Sequence, residues 1–297
     1  MNIIRSLTLS LLLISVLSCT NDNDTDPLAP GTVIRENDAN PGCKVGSISH
    51  RQTYETINSN NEITDSRTTH WDFEYEYDEL GLISESNESI SVEGTQPSTQ
   101  QKAIIRNDLG MIESVRFHSS RGIEIKTFER DGNSITIKSF DVTGQMVSRT
   151  VFEVVQGYIN KRTIYIVQGD GSENIILESE YTWVSDNLTQ RITHVYDVSD
   201  GSKQSVVTFN FEYDDKNNPE AYLWSEHHFQ QSKNNVLKIH SETVNQYNHI
   251  EKYTLEYSYT YNSDNYPTTS TIDSEQSAGD LTYIFHAERS YTYHSCN

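Results

Sequence analysis

Strict alternation of two residue types runs through much of this chain. In 71–78 the odd positions from Trp71 to Tyr77 are aromatic and the even positions from Asp72 to Asp78 are acidic. Because successive side chains of a β-strand point to opposite faces, this segment predicts a strand with one aromatic and one charged face. The alternation returns at 207–213 and 253–261, and in shorter form at 123–127, 135–137, 164–166, 181–183, 283–285 and 291–293. No segment of comparable length has helical spacing, so we predict an all-β fold.

A turn motif separates many of these runs. It consists of an aromatic or basic residue, then Asp or Asn, then Gly, then apolar residues, and its copies begin at Tyr77, Arg106 and Phe140, with weaker copies at Tyr213 and Tyr261. The Asp or Asn side chain can bond the backbone two residues on, and Gly or Asn accepts the positive φ of a tight hairpin. Each unit is therefore predicted to be strand, turn, strand.

The Tyr-Asp-x-x-Gly pattern resembles the YD, or RHS-type, repeat over residues 43–297. In form the chain is similar to short, lipid-anchored Bacteroidota proteins of unknown function that are built from such repeats. The resemblance implies a curved antiparallel sheet of consecutive hairpins, which can roll into an open barrel or a partial shell. The chain has too few repeats for the closed shell of the very long members, so their encapsulating role is not expected.

The first residues predict a lipoprotein signal peptide. Arg5 supplies positive charge, residues 7–17 form an apolar run too short to span a membrane, and Ser18 is the small residue before Cys19. A cysteine in this position is where lipoprotein signal peptidase cuts, so Cys19 is predicted to carry lipid. The alternative is an ordinary secretory signal in which Cys19 is incidental.

Residues 19–42 have the composition of a disordered, acidic tether. Their acidic run at 21–26 resembles both a calcium loop and the export signal of surface lipoproteins in Bacteroidota-type bacteria. Its place two residues after the anchor favours the export signal. We therefore expect a signal peptide at 1–18, a lipidated tether at 19–42, and a single repeat-built β domain at 43–297. The expected location is the outer membrane, lipid-anchored, with the domain facing the exterior.

Two further cysteines, Cys43 and Cys296, bracket the repeat domain. An even pair in an exported chain suggests a disulfide bond, and the ends of domains tend to lie close together. We predict a Cys43–Cys296 bond. The alternative is two unpaired thiols that lie too far apart to meet.

The charge of the chain excludes nucleic acid as a partner. Removal of the signal leaves 21 basic against 43 acidic residues, a net charge of about −22. A phosphate backbone requires a Lys and Arg surface, which this composition does not supply. No histidine or cysteine spacing of a known metal site is present, and no nucleophile or phosphate-loop motif. We therefore predict no cofactor, no metal and no catalytic residues.

The aromatic faces are the candidate ligand surface, because Trp and Tyr stack on sugar rings. The candidate stacking residues are Trp71, Tyr75, Tyr77, Trp183, Tyr257 and Tyr259. The alternative is that these side chains fill a core. The predicted function is a non-catalytic surface binding protein with an extracellular glycan as the leading ligand class. Two alternatives stay open: a subunit that docks on an outer-membrane protein complex, and an unrecognised hydrolase.

Overall fold

The computed structural model describes residues 43–60, 62–79, 82–108, 111–222, 232–278 and 281–296. The predicted signal peptide, the tether and the lipidation site Cys19 lie outside the described residues. All of the described residues lie within the predicted repeat domain, whose bounds stay a prediction.

Sixteen β-strands account for most of the described residues. They are β1 (Cys43–Asn58), β2 (Ile63–Tyr77), β3 (Ile83–Val92), β4 (Ser98–Arg106), β5 (Ile112–Ser119), β6 (Gly122–Asp131), β7 (Ser134–Phe140), β8 (Met146–Val155), β9 (Tyr158–Val167), β10 (Glu173–Val184), β11 (Asn187–Tyr196), β12 (Lys203–Asn217), β13 (Asn234–Asn245), β14 (Ile250–Tyr261), β15 (Pro267–Ala278) and β16 (Leu281–Cys296). A single-turn 3₁₀ helix, Pro219–Tyr222, follows β12. In these parts of the chain, no helix has the length and hydropathy needed to cross a membrane.

Each strand pairs antiparallel with the strands before and after it in sequence, and β16 pairs with β1, so the sheet closes into a barrel. The predicted all-β sheet of consecutive hairpins is confirmed, and its curvature goes as far as full closure. The alternating runs at 283–285 and 291–293 both belong to the single long strand β16.

The up-and-down order gives the barrel two distinct ends. At the terminal mouth lie the start of β1, the end of β16 and the connections that follow even-numbered strands, including the 3₁₀ helix. The far mouth holds the connections that follow odd-numbered strands. At the terminal mouth Cys43 is disulfide-bonded, and it lies opposite Cys296 in the ladder between β1 and β16. Both observations agree with the predicted bridge, and its pairing stays a prediction.

Side chains of the repeated turn motif accept hydrogen bonds from backbone amides two or four residues further along the chain, and the predicted bond to the second residue forms at Asp141 and Asn262. The Asp78 side chain accepts a hydrogen bond from the Leu82 amide at 2.8 Å, and Asn107 and Asn262 accept from the amides four residues further on at 3.0 Å. Asp141 also accepts from Thr143, two residues on. These side chains fix the hairpin ends by replacing backbone partners that the turn leaves unpaired.

The aromatic face of the strands lines the interior of the barrel. Buried apolar side chains are distributed around the wall, from Ile48 on β1 through Val115, Phe152 and Leu255 to Phe285 on β16. A 16-stranded barrel can enclose an aqueous channel, in which inward side chains contact water. Here these inward residues are buried, so they form a core.

Aromatic side chains at the terminal mouth also join the two strands of a hairpin. The hydroxyl groups of Tyr77, Tyr213 and Tyr259 donate to the carbonyls of Val45, Leu188 and Val236 at 2.7–3.0 Å. In each case the aromatic residue lies on an even-numbered strand, and the carbonyl lies near the start of the preceding strand. The tyrosines near the ends of these three strands therefore have a structural role.

Candidate functional site: the barrel interior

The six predicted stacking residues all lie on the inner face. Trp183 donates its indole N–H to the Ile159 carbonyl at 2.8 Å, and the rings of Tyr257 and Tyr259 stack with centroids 6.4 Å apart. Trp71 packs against the ring of His50 at 5.1 Å. Tyr75 and Tyr77 pack on a small cluster of buried residues near the terminal mouth. The structure thus places these residues on one internal surface, and their contact with a ligand stays a prediction.

An internal ion pair crosses the barrel near the terminal mouth. Glu220, in the 3₁₀ helix, accepts hydrogen bonds from Arg289 Nη1 and from the Tyr291 hydroxyl, both at 2.9 Å. The Glu220 and Arg289 side chains are 17% and 12% exposed. Because β12 and β16 are four places apart in the wall, the helix must fold inward for this contact to form. The 3₁₀ helix thus occupies part of the terminal mouth.

Electrostatics in this region favour the charged form of Arg289 and the neutral form of Tyr291. Burial by itself lowers the pKa of Arg289, but Glu220 together with Tyr291 and Tyr257 more than offsets this, and the pKa is raised above its ordinary value. Burial, reinforced by Glu220, raises the pKa of Tyr291. The Tyr291 hydroxyl therefore remains a hydrogen-bond donor at neutral pH.

Other charged groups also point inward. Lys102 and Glu88, on neighbouring strands, form an ion pair of 3.0 Å in which both side chains are largely buried. Arg162 and Arg191 lie on the inner faces of β9 and β11, opposite Phe152 and Phe209. The interior thus combines an aromatic core with separated charged groups, which is the chemistry of a pocket for a polar ligand.

His50 is a buried titratable group in the same interior. Its side chain is 5% exposed, it lies opposite Arg289 in the ladder, and its Nε2 has no hydrogen-bond partner among the described residues. Burial, with a smaller contribution from the charge of Arg289, lowers the pKa of His50 to about 2. His50 is therefore neutral in the folded protein.

The neutral state of His50 predicts acid lability. The folded pKa lies below the unfolded value of about 6.5, so the unfolded chain binds the proton more readily, and stability is lost as pH falls below 6.5. Between pH 7 and pH 5 this group alone should cost about 2 kcal/mol of unfolding free energy. We expect His50→Gln to flatten the pH dependence measured by urea unfolding. A matched His240→Gln variant, at an exposed site, should keep the wild-type slope; equal slopes for all three proteins would contradict the prediction.

The outer face of the barrel is polar and charged. Its outward positions on β14 are Lys252, Thr254, Glu256, Ser258 and Thr260. Cross-strand ion pairs link neighbouring strands there, including Lys238–Glu256 at 2.6 Å and Lys252–Glu242 at 2.8 Å. The five positions cover about 27 Å of strand at about 3.4 Å per residue. A membrane barrel instead requires an outward apolar band about 25 Å tall.

A shallow groove lies on this outer face, at the seam where β1 meets β16. Its cavity volume is about 270 Å³, and its lining residues are Arg51, Thr53, Glu55, Ile284, His286 and Glu288. His286 Nδ1 lies 2.7 Å from the Asp273 carboxylate, which raises the pKa of His286. Among the described residues, no three His, Cys, Asp or Glu side chains are grouped as ligands for a metal ion.

Exposed apolar side chains gather at the far mouth. Tyr247, in the turn after β13, is 80% exposed. Other exposed residues at the same mouth are Ile63, Ile123, Val142, Val147, Val198 and Ile250. Apolar residues clustered at one end of a protein mark a contact surface.

The charged interior residues were missed by sequence reasoning, although a signal for some of them exists. Arg289 is in the same alternation phase as Phe285, Tyr291 and Tyr293, so its position on the aromatic face could be read from the sequence. Glu220 gave no such signal, because it lies outside the strands and reaches the interior only through the path of the connection.

Comparison with solved structures finds barrels with which this chain aligns at low sequence identity. A porin-like protein from Bacteroides uniformis matches with a TM-score of 0.53 at 12% identity, over 84% of this chain and 96% of that one. A porin-like protein from Bacteroides vulgatus gives 0.36 at 11% identity, over 84% and 98%. The outer membrane protein Omp33 from Acinetobacter baumannii gives 0.33 at 9% identity, over 84% and 100%. Only the first score supports a shared fold. No family model and no curated protein matches the chain.

Proposed function

We propose that the protein is a lipid-anchored, non-catalytic binding protein of the outer-membrane surface, with an extracellular glycan as its leading ligand class. In this proposal the barrel lies outside the bilayer. The tether joins the barrel at the terminal mouth, where β1 begins at Cys43. The YD-repeat resemblance is part of the same proposal.

The charged outer face is the observation that carries the proposal. A lipid-facing strand would bury groups such as Lys252 and Glu256 in hydrocarbon at a cost of a few kcal/mol each. The same groups are favourable in water, where they also keep a very acidic protein soluble. A barrel of this polarity needs a separate device to stay at the membrane, and the predicted lipid on Cys19 supplies one.

The aromatic interior supports the glycan class. Trp71 and Trp183 are only partly buried; Trp71 packs on the His50 ring, and Trp183 packs on Tyr158, whose hydroxyl donates to Asp186. Imidazole and hydroxyl groups beside an aromatic face can bond sugar hydroxyls. Flat aromatic faces beside a few polar groups are the usual composition of a carbohydrate site.

Lipidation and exposure are tested on intact cells. A palmitate analogue should label the wild-type protein and leave Cys19→Ala unlabelled, because the thiol of Cys19 is the predicted site of acylation. Protease added to the cells should remove the folded domain. Complete protection of the domain would mean that it faces the periplasm, and this would contradict the surface location.

Ligand class is tested with a soluble protein that begins at Pro41, on a glycan array. Trp71→Leu, which keeps an apolar side chain but removes the indole face, should weaken binding of the best glycan by about tenfold, or roughly 1.4 kcal/mol. Tyr247→Ala, an exposed aromatic at the far mouth, is the matched control. Loss of binding in Tyr247→Ala alone would move the site to the far mouth, and an array without any binding would remove the glycan class.

The far-mouth residues favour a second candidate function, docking on an outer-membrane protein complex. Ile123 and Val142 lie on neighbouring turns, since the Val142 side chain is the nearest neighbour of Gly122. The substitutions Ile123→Glu and Val142→Glu replace apolar side chains of this surface with negative charges. They should release the protein from such a complex, and the protein should still fold.

A further inference from the structure

Arg162 and Arg191 form a pair of inward-pointing cations in the middle of the wall. Arg162 lies beside Ser179 on β10, and Arg191 lies beside Tyr181 on the same strand. Ser179 and Tyr181 are two residues apart and share a face. The two arginines therefore lie two strands apart on one internal surface, with β10 between them.

Neither arginine has an acidic partner. Arg191 is only 7% exposed, and the Nε atoms of Arg191 and Arg162 are enclosed without a hydrogen-bond partner in the described part of the chain. Among the described residues, no Asp or Glu carboxylate lies within ion-pair distance of either guanidinium. Two of the other inward cations, Arg289 and Lys102, form ion pairs with acidic side chains.

The aromatic rings beside the pair only partly compensate for burial of the charge. The Arg191 guanidinium lies 4.1 Å from the ring centroid of Phe209, and that of Arg162 lies 6.0 Å from the ring of Phe152. Burial, together with the charge of Arg162, lowers the pKa of Arg191 to about 10, so Arg191 remains a cation at neutral pH. Two like charges thus remain adjacent in a region of low polarity, where an unpaired charge is unfavourable.

We infer that Arg162 and Arg191 form an internal site for an oxyanion, namely the carboxylate, sulfate or phosphate group of a ligand. Guanidinium groups bind such groups through two parallel N–H donors. The hydroxyls of Ser179 and Thr193 lie 2.9 Å apart on the same inner surface, with Ser179 opposite Arg162, and the hydroxyl that accepts in this bond supplies one further donor. The inference is independent of the glycan proposal, because the site recognises the acidic group and not the sugar ring.

Calorimetric titration of the soluble protein with three probes tests the site: sodium sulfate, sodium phosphate and sodium galacturonate, each against sodium chloride at equal ionic strength. We expect saturable binding of at least one probe, and Arg191→Gln and Arg162→Gln should each weaken it at least tenfold. Arg149→Gln is the matched control, since Arg149 is paired with Glu173 on the outer face. Binding of galacturonate alone would identify an acidic sugar as the source, and binding of sulfate or phosphate alone an inorganic or esterified group.

Thermal unfolding supplies a second measurement that a purely structural role would not reproduce. In chloride, Arg191→Gln should melt no lower than the wild type, because it removes an unpaired buried charge. With saturating probe it should melt lower than the wild type. The inference is overturned if no probe binds the wild type saturably, or if Arg191→Gln retains wild-type affinity. If Arg191→Gln fails to fold, Arg162→Gln and Arg191→Lys decide the question, because both must weaken binding.

Discussion

Glu220→Gln should lower the free energy of unfolding by about 3–5 kcal/mol, because it leaves the buried cation of Arg289 without its carboxylate partner. The Glu220 carboxylate accepts from both Arg289 and Tyr291, so the substitution also weakens the contact that holds the 3₁₀ helix in the mouth. Urea unfolding followed by intrinsic fluorescence measures the change.

Two variants separate this effect from a general effect of charge. Glu212→Gln removes an exposed acid whose partner is His240 on the outer face, and it should cost less than about 1 kcal/mol. Glu220→Leu combined with Arg289→Met should recover most of the loss, since replacement of both charges by apolar groups removes the unpaired cation. A loss below about 1 kcal/mol for Glu220→Gln would mean that water enters the mouth and screens the pair.

Cys43→Ser should destabilise the oxidised domain by up to roughly 5 kcal/mol, the chain-entropy value for a loop of this length, although measured bridges often contribute about 2–4 kcal/mol. The bond would join the ends of β1 and β16, the seam where the barrel closes. Mass spectrometry of unreduced peptides should find Cys43 linked to Cys296.

The double variant Cys43→Ser with Cys296→Ser supplies the control for this prediction. If the two thiols bond only to each other, the double variant should be as stable as the single variant in the absence of reductant. Reduction of the wild type should lower its stability to the same value. Two thiols that alkylate in the native protein would exclude the bridge.

The strands with the longest alternating runs were the most predictable part of the fold. β2, β12 and β14 have aromatic residues on the inner face and charged residues on the outer face, so their alternation is visible without a partner strand. The turn motif that begins at Tyr77 was also visible in the sequence, because two of its hydrogen bonds require specific side chains. The Asp78 carboxylate accepts from the Leu82 amide, and the Tyr77 hydroxyl donates to the Val45 carbonyl.

The strand β15 could not be predicted, because two of its three buried inward residues are small and polar. β15 presents Ser270 and Ser274 to the interior, where they are buried. Ser270 lies between Tyr259 on β14 and Arg289 on β16, and two large side chains leave space only for a small one. The sequence of β15 alone contains no apolar alternation. The small side chains of β15 make room for the large side chains of β14 and β16. This fit depends on the pairing of the strands, which the sequence of β15 does not show.

The candidate site was predictable in its aromatic part and not in its charged part. Trp71 and Tyr257 were assigned to one face correctly, because alternation alone determines the face. The environment of Arg191 was not predictable, since its burial arises from Tyr181 and Phe209 on the two flanking strands. Pairing between strands decides which charges share the interior.

Closure of the barrel also determines the order in which the chain can fold. Every ladder except one joins strands that are consecutive in sequence, so most hairpins can form as soon as their two strands exist. The remaining ladder joins β1 to β16, the first and last strands of the domain. Until β16 is available, one edge of β1 has unpaired amide and carbonyl groups, which recruit strands of other chains. A chain that is still unfolded is thus most prone to aggregate before its last strand pairs, and the step that closes the barrel also removes this risk.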